Sequence, residues 1–226
     1  MESLRIRKVE ISVTDCYKKS WDSIKKHYWI LFIVTFLALV IAQMSLGILL
    51  GAVFCGAFVC ILQALKGENV VFEDFLKGFR LFFPSFLPTV LFILPVPIVG
   101  IAVPFAMIFF DSNSDLSYLL LKIFVIEFAL VFIIVCLHTL LTFSFLLIAD
   151  KGVSGWQSIL ISSKAVWQNL NVVVKIFLAG FVLAIIGNLA FCVGIYFVMP
   201  LILTSIAFIY KEIFYENRTE TDSSRF

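Results

Sequence analysis

The chain is short of charge and almost empty of histidine. Asp, Glu, Lys and Arg make up 14% of its 226 residues, against about 25% in a soluble domain. Imidazole is supplied by His27 and His138 alone, so a His-rich metal site cannot be assembled. There is no HExxH, no nucleophile elbow and no phosphate-binding glycine loop. No group of carboxylates lies within the apolar stretches, and the cations form no dense patch of the kind nucleic acid requires. Hydrolytic or transferase chemistry has almost nothing to work with, and the expectation is a non-enzyme without cofactor or metal. Five cysteines show no paired extracellular spacing, which argues against a disulfide framework. Cys55, Cys60, Cys136 and Cys192 fall in apolar runs and read as small buried hydrophobes.

What fills the chain instead is apolar. Hydrophobic residues are 62%, Phe alone contributes 26, and mean hydropathy is +1.09. A soluble domain is roughly 45–50% apolar, and a globule of this size could not hide the excess, so the solvent must be lipid. An apolar block from Tyr28 to Leu65 is too long for one span of about 20 residues and right for two. Its break falls near Gln43–Gly47. A second block, Val172 to Tyr210, has Gly187-Asn188 near its middle. Two single spans lie between these hairpins, one closed by Asp111–Asp115 and the other by Asp150-Lys151-Gly152. The fold class is therefore all-α and polytopic, with six spans at about 28–45, 47–65, 85–110, 117–149, 172–190 and 192–210. Residues 1–27 form an amino-terminal arm, and 211–226 read as a disordered tail. Thirty-three residues in span four would make a helix of about 50 Å, so one end must leave the lipid or tilt.

Sixteen of the seventeen Lys and Arg residues sit in the arm, in the connections after spans two and four, at the start of span five and in the tail. With six spans these regions share one face, which the positive-inside rule makes cytoplasmic, with both termini. The arm lacks the apolar stretch and cleavage site of a signal peptide.

Amphipathic segments recur on that face. Tyr17, Trp21, Ile24 and Tyr28 share one side of a helix that Thr14 could cap. Phe72, Phe75, Leu76 and Phe79 repeat the pattern, and Trp156 through Trp167 to Leu170 give a broader version. Tyr17, Trp21, Tyr28, Trp156 and Trp167 read as interfacial anchors at headgroup level. The alternative is a grip on anionic lipid or on a partner protein. A surface helix plus a hairpin occurs at 15–65 and again at 154–210, which suggests duplication.

Two places could carry chemistry. Pro95, Pro97 and Gly100 sit near the middle of span three, where each proline removes a backbone donor and frees a carbonyl four residues earlier. The options are a kinked packed helix, a discontinuous helix lining a site, or a re-entrant hairpin. In span four, Glu127, His138 and Thr142 share a face. Glu127 falls near the outer headgroups and His138 near the midplane, as a proton relay or as a neutral His bonded to a neighbouring helix. Small residues at four-residue spacing (Gly47, Gly51, Cys55; Gly180, Ala184, Asn188) let helices approach closely, within one chain or between two copies.

Three stretches together carry a resemblance. They are Ala64-Leu65-Lys66-Gly67-Glu68 with Phe72–Phe79, Asp150-Lys151-Gly152-Val153-Ser154 with Ser158, Ser162 and Trp167-Gln168-Asn169, and Pro200-Leu201 with Ala207, Tyr210 and Lys211. The chain resembles bacterial six-span integral membrane proteins of uncharacterised function, which are similar to the membrane domain of some glycerophosphoryl diester phosphodiesterases. The catalytic barrel of those enzymes is absent. The resemblance implies the bacterial inner membrane and a lipid connection. The expectation is a membrane protein that binds or handles a lipid-like ligand or acts as a scaffold. The alternative is a proton- or ion-coupled transporter using His138 and the broken third span.

Overall fold

The computed structural model describes residues 6–97, 100–101, 116–189 and 193–214. The described residues contain helices and no strand. In chain order the helices are α1 (Val13–Ile24), α2 (Tyr28–Met44), α3 (Leu50–Lys66) and α4 (Phe72–Leu76), then a 3-10 segment (Lys77–Leu81) and α5 (Phe82–Ile93). After the undescribed stretch come α6 (Leu116–Leu141), α7 (Ser144–Lys151), α8 (Gly155–Gln168), α9 (Leu170–Leu189) and α10 (Gly194–Ile213). Among the described residues, four helical segments are long and apolar enough to cross a bilayer: Phe72–Pro97, Leu121–Lys151, Leu170–Leu189 and Gly194–Ile213. A fifth results if α1 and α2, bent by 103° to one another, count as one. Helices α2 and α3 have 17 residues each.

The first hairpin turns where the polar Gln43–Gly47 stretch stands. Leu46 and Gly47 take left-handed backbone (φ 49° and 84°). The Gly47 N–H reaches the Ala42 carbonyl (2.7 Å) and the Leu46 N–H that of Gln43 (3.0 Å). This pair of bonds is a Schellman ending, which satisfies carbonyls that the helix itself leaves open. Helix α3 stops the same way at Gly67, with Glu68 N–H on Gln63 and Gly67 N–H on Ala64. Helix α7 stops at Gly152 with one such bond, to Ile148.

Helix α3 is the centre of the molecule and packs on α1, α2, α4, the 3-10 segment, α5, α7 and α10. Its small residues permit this. A Cβ on Gly56 would strike the Phe75 carbonyl, and one on Gly78 would strike the backbone of Ala52 and Gly56. The 3-10 segment therefore lies directly on the α3 backbone, a close approach that small residues allow between membrane helices. Gly51 makes the equivalent room for Ser85 and Thr89 of α5.

Several expectations need correction. The fourth span, Leu121–Lys151, is interrupted by a two-residue turn at Thr142-Phe143 between α6 and α7. There Ser162 Oγ donates to the Leu140 carbonyl (2.6 Å) and accepts from the Phe143 N–H (3.1 Å). A tertiary hydroxyl thus serves two backbone groups that a continuous helix would have paired internally. In the second hairpin, Gly187 and Asn188 lie inside α9, and Gly187 lets the backbone of Gly194 come close. Cys136 is exposed, whereas Cys16, Cys55 and Cys60 are buried. Thr14 does not cap α1: the helix begins at Val13 after Ser12, and the two hydroxyls bond to each other (2.9 Å). Most of span three beyond Pro97, and the Asp111–Asp115 connection, lie outside the described residues.

The surface helices dock mainly through small side chains. Helix α1 docks on α10 and α3 through Cys16, Ser20 and Ile24. Helix α8 buries Gly155, Ser158, Ser162, Ala165 and Val166 and leaves Trp156, Leu160 and Trp167 outward. Three helices follow one another in each segment, α1–α3 and α8–α10, but their packing partners differ. Helix α1 leans on α10, whereas α8 leans on α5, α6 and α7.

The four basic regions gather at one end of the molecule. The extended arm is pinned there: Arg7 N–H bonds the Ile213 carbonyl (3.0 Å), and Asn169 holds both Val9 N–H (2.8 Å) and the Arg7 carbonyl (3.1 Å). Asp150, at the end of α7, accepts from the Tyr210 hydroxyl (3.0 Å) and lies 3.9 Å from Lys66. Lys211 Nζ donates to the Leu65 carbonyl (3.2 Å). Lysines thus sit at the carboxyl ends of α3, α7 and α10, where they complement the helix dipoles.

Candidate functional site

A cleft of about 580 Å³ opens between α6 on one side and α9 with α10 on the other, with α3 as its floor. This is within the range of small-molecule pockets, about 300–1,000 Å³. Leu50, Phe54 and Phe58 come from α3, Phe92 from α5 and Phe145 from α7. Val174, Phe177, Leu178 and Phe181 come from α9, and Leu203 and Ile206 from α10. Helix α6 supplies Val135, His138, Thr139, Leu141 and Thr142, so three side chains with polar atoms face an otherwise hydrocarbon wall.

His138 is held in place by α5. Its ring lies parallel to that of Phe92 (centroids 4.0 Å apart, planes 14°), and Nε2 is 2.8 Å from the Phe92 carbonyl. A carbonyl can only accept, so Nε2 carries the proton. Phe92 stands between Leu91 and Ile93, whose carbonyls lose their helical donors to Pro95 and Pro97. Helix α5 ends at Ile93, and the accessible carbonyl at its end takes a donor from α6. Thr139 and Thr142 each donate back to their own helix, to Val135 (2.7 Å) and to His138 (3.1 Å).

Of the candidates drawn from sequence, His138 and Thr142 come together in the cleft. Glu127 does not join them: it is exposed on α6, eleven residues and about 16 Å up the axis. Pro95 is half-buried, Pro97 and Gly100 are exposed, and none of the three lines the cleft. Thr139 and Phe92 were not singled out. Thr139 is the neighbour of His138 and carried no separate signal, whereas Phe92 lay in a Phe-rich run whose members look alike.

The aromatic anchors divide. The Tyr17 hydroxyl donates to the Ile176 carbonyl (3.1 Å), tying α1 to α9, and that of Tyr28 donates to Phe197 (2.8 Å), tying α2 to α10. Trp21, Trp156 and Trp167 project outward, 44%, 60% and 73% exposed.

Comparison with protein families, with curated proteins and with solved structures finds no match to this chain, so what the site does is argued from its own geometry.

Proposed function

We propose that this is a six-span integral membrane protein, with both termini cytoplasmic, that binds or handles a lipid-like ligand in the cleft. The observation that carries this reading is the apolar, roughly 580 Å³ cleft that α3, α6, α9 and α10 leave between them. Helices α2 and α3, at 17 residues, are about 26 Å long and reach the lower limit of a spanning helix. Adding them to the four longer segments gives six, and the gathering of all basic regions at one end supports that even count. The same gathering brings together Lys66, Asp150, Tyr210 and Lys211. These come from the three stretches that resemble the bacterial six-span proteins, which supports an inner-membrane setting.

Val174→Trp tests the reading, because Val174 lines the cleft and is half exposed. The purified protein is expected to carry lipid detectable by mass spectrometry, and the tryptophan variant to lose it while keeping its elution profile. Equal lipid content in both would refute the assignment. Labelling of Glu68→Cys and Lys151→Cys from the cytosolic side alone checks the orientation.

A second reading, proton-coupled transport, draws support from the His138–Phe92 bond that joins α5 to α6 beside the cleft. Unchanged flux by His138→Ala in reconstituted vesicles would end it.

A further inference from the structure

The hydrogen-bonding character of the cleft points to a ligand class. Three side chains bring polar atoms to it, and each offers a lone pair rather than a proton. The hydroxyl protons of Thr139 and Thr142 are committed to carbonyls of their own helix. His138 directs its Nε2 proton to Phe92, which in the neutral ring leaves Nδ1 as an acceptor. Among the described residues the lining contains no Lys, Arg, Asn, Gln or Trp that could donate to an anion or neutralise it. A phosphate or carboxylate here would meet lone pairs in a medium of low dielectric, with nothing to offset its desolvation.

Depth points the same way. His138 lies thirteen residues before Lys151, the end of α7, or about 20 Å along the chain of helices. That is well inside a hydrocarbon core of about 30 Å. A neutral head reaches such a depth at far lower cost than a charged one.

Resting on the reading of the cleft as a lipid site, we infer that its ligand is a neutral lipid ending in a free hydroxyl, of the diacylglycerol kind, whose proton is received by His138, Thr139 or Thr142. The lipid's tails occupy the phenylalanine-lined remainder. The site discriminates against the phosphorylated form of the same lipid.

The test uses the full chain in nanodiscs at pH 8. Three lipids with identical tails compete with a pyrene-labelled acyl probe: dioleoylglycerol, its O-methyl ether and dioleoyl phosphatidic acid. Dioleoylglycerol is expected to displace the probe at about tenfold lower concentration than the ether, the worth of roughly one hydrogen bond, with phosphatidic acid weakest. His138→Phe keeps a ring against Phe92 and removes the nitrogens. The Thr139→Val, Thr142→Val double variant keeps the shape and removes the hydroxyls, and the diacylglycerol–ether comparison in the unaltered protein decides the matter if the histidine variant does not fold. At least one of them is expected to bring dioleoylglycerol down to the ether while leaving the ether unchanged. Equal displacement by diacylglycerol and ether, preference for phosphatidic acid, or retention of the hydroxyl preference in both variants would overturn the inference while the cleft stays a lipid site. Displacement by none of the three, or displacement unaltered in Val174→Trp, would instead remove the cleft reading and the inference with it.

Discussion

Two serines one turn apart on α8 make a controlled experiment. Ser158 and Ser162 are both fully buried. Ser158 donates only to the Gly155 carbonyl of its own helix (2.7 Å). Ser162 bridges the Leu140 carbonyl and the Phe143 N–H where α6 breaks into α7. Ser162→Ala strips both backbone groups of their partner in a buried place. Each such loss costs about 1–3 kcal/mol, so the sum is about 2–4 kcal/mol if the groups relax partly. For a chain of this size that is a fall in Tm on the order of 10 °C. Ser158→Ala gives up one local bond and gains helix propensity, and should change stability by less than about 1 kcal/mol. A thiol-reactive fluorogenic dye can read both melts. Cys16, Cys55 and Cys60 are buried and react on unfolding, once the exposed Cys136 and also Cys192 are replaced by Ser. If the two variants melt together, the reasoning fails: the helix would have regained its bonds by straightening, and Ser162 would not hold the bend.

Gly78→Ala places a methyl on the backbone of Ala52 and Gly56 and should cost about 1–3 kcal/mol or more, whereas Gly100→Ala, whose new methyl meets nothing within 4 Å among the described residues, should be nearly silent in the same melt. Leu46 is 87% exposed and sits in left-handed backbone, so Leu46→Gly should raise stability by about 0.5–1 kcal/mol; a loss would refute the Schellman ending as described. Asn169→Ala frees the arm from two of its bonds, and trypsin should then cut at Arg7 or Lys8 faster in the folded protein. Tyr210→Phe removes the bond to Asp150 and should cost about 1–2 kcal/mol, with no effect on lipid displacement from the cleft at the other part of the bundle.

The first hairpin could be read from the chain because its signals are local. A polar and glycine-containing interruption ends α2, and Lys66-Gly67 and Lys151-Gly152 stop α3 and α7 by backbone conformation alone. The break at Thr142-Phe143 could not be read this way. Nothing in Leu140–Phe143 is a breaker; the cause is a hydroxyl twenty residues on, delivered by packing. On α1 and α8 the aromatic side chains stand out in the sequence, but the small residues through which the helices dock, Cys16 and Ser20 or Gly155, Ser158 and Ser162, carry no such signal. In water an aromatic stripe marks the face that packs, and beside lipid it does not. Half of the cleft was visible as the His138–Thr142 face, because an imidazole within a span stands out. Its apolar walls were not, since one phenylalanine among 26 carries no positional information.

Packing in lipid also explains why a cleft exists. Lipid solvates Trp and Leu about as well as protein does, so helices are drawn together mainly where small side chains allow contact and where hydroxyls or amides bond across. Such contacts join the 3-10 segment to α3 through Gly78 and Gly56, α8 to α5 through Gly155 against the Pro84 carbonyl, and α9 to α10 through Gly187 against Gly194. Ser162 and Asn169 add bonds along the same side of α8. Among the described residues, no bond crosses the cleft between the facing sides of α6 and α9, since the hydroxyls of Thr139 and Thr142 turn back to their own chain. These sides present Val135 and Leu141 on one flank and Val174, Phe177, Leu178 and Phe181 on the other. Bulky, conformationally stiff side chains without a small partner opposite cannot bring two helix axes together, so the space between α6 and α9 stays open to an apolar guest. The cleft is then a consequence of where glycine, alanine and serine were placed elsewhere, and filling it needs a ligand or a new large side chain rather than a movement of the helices.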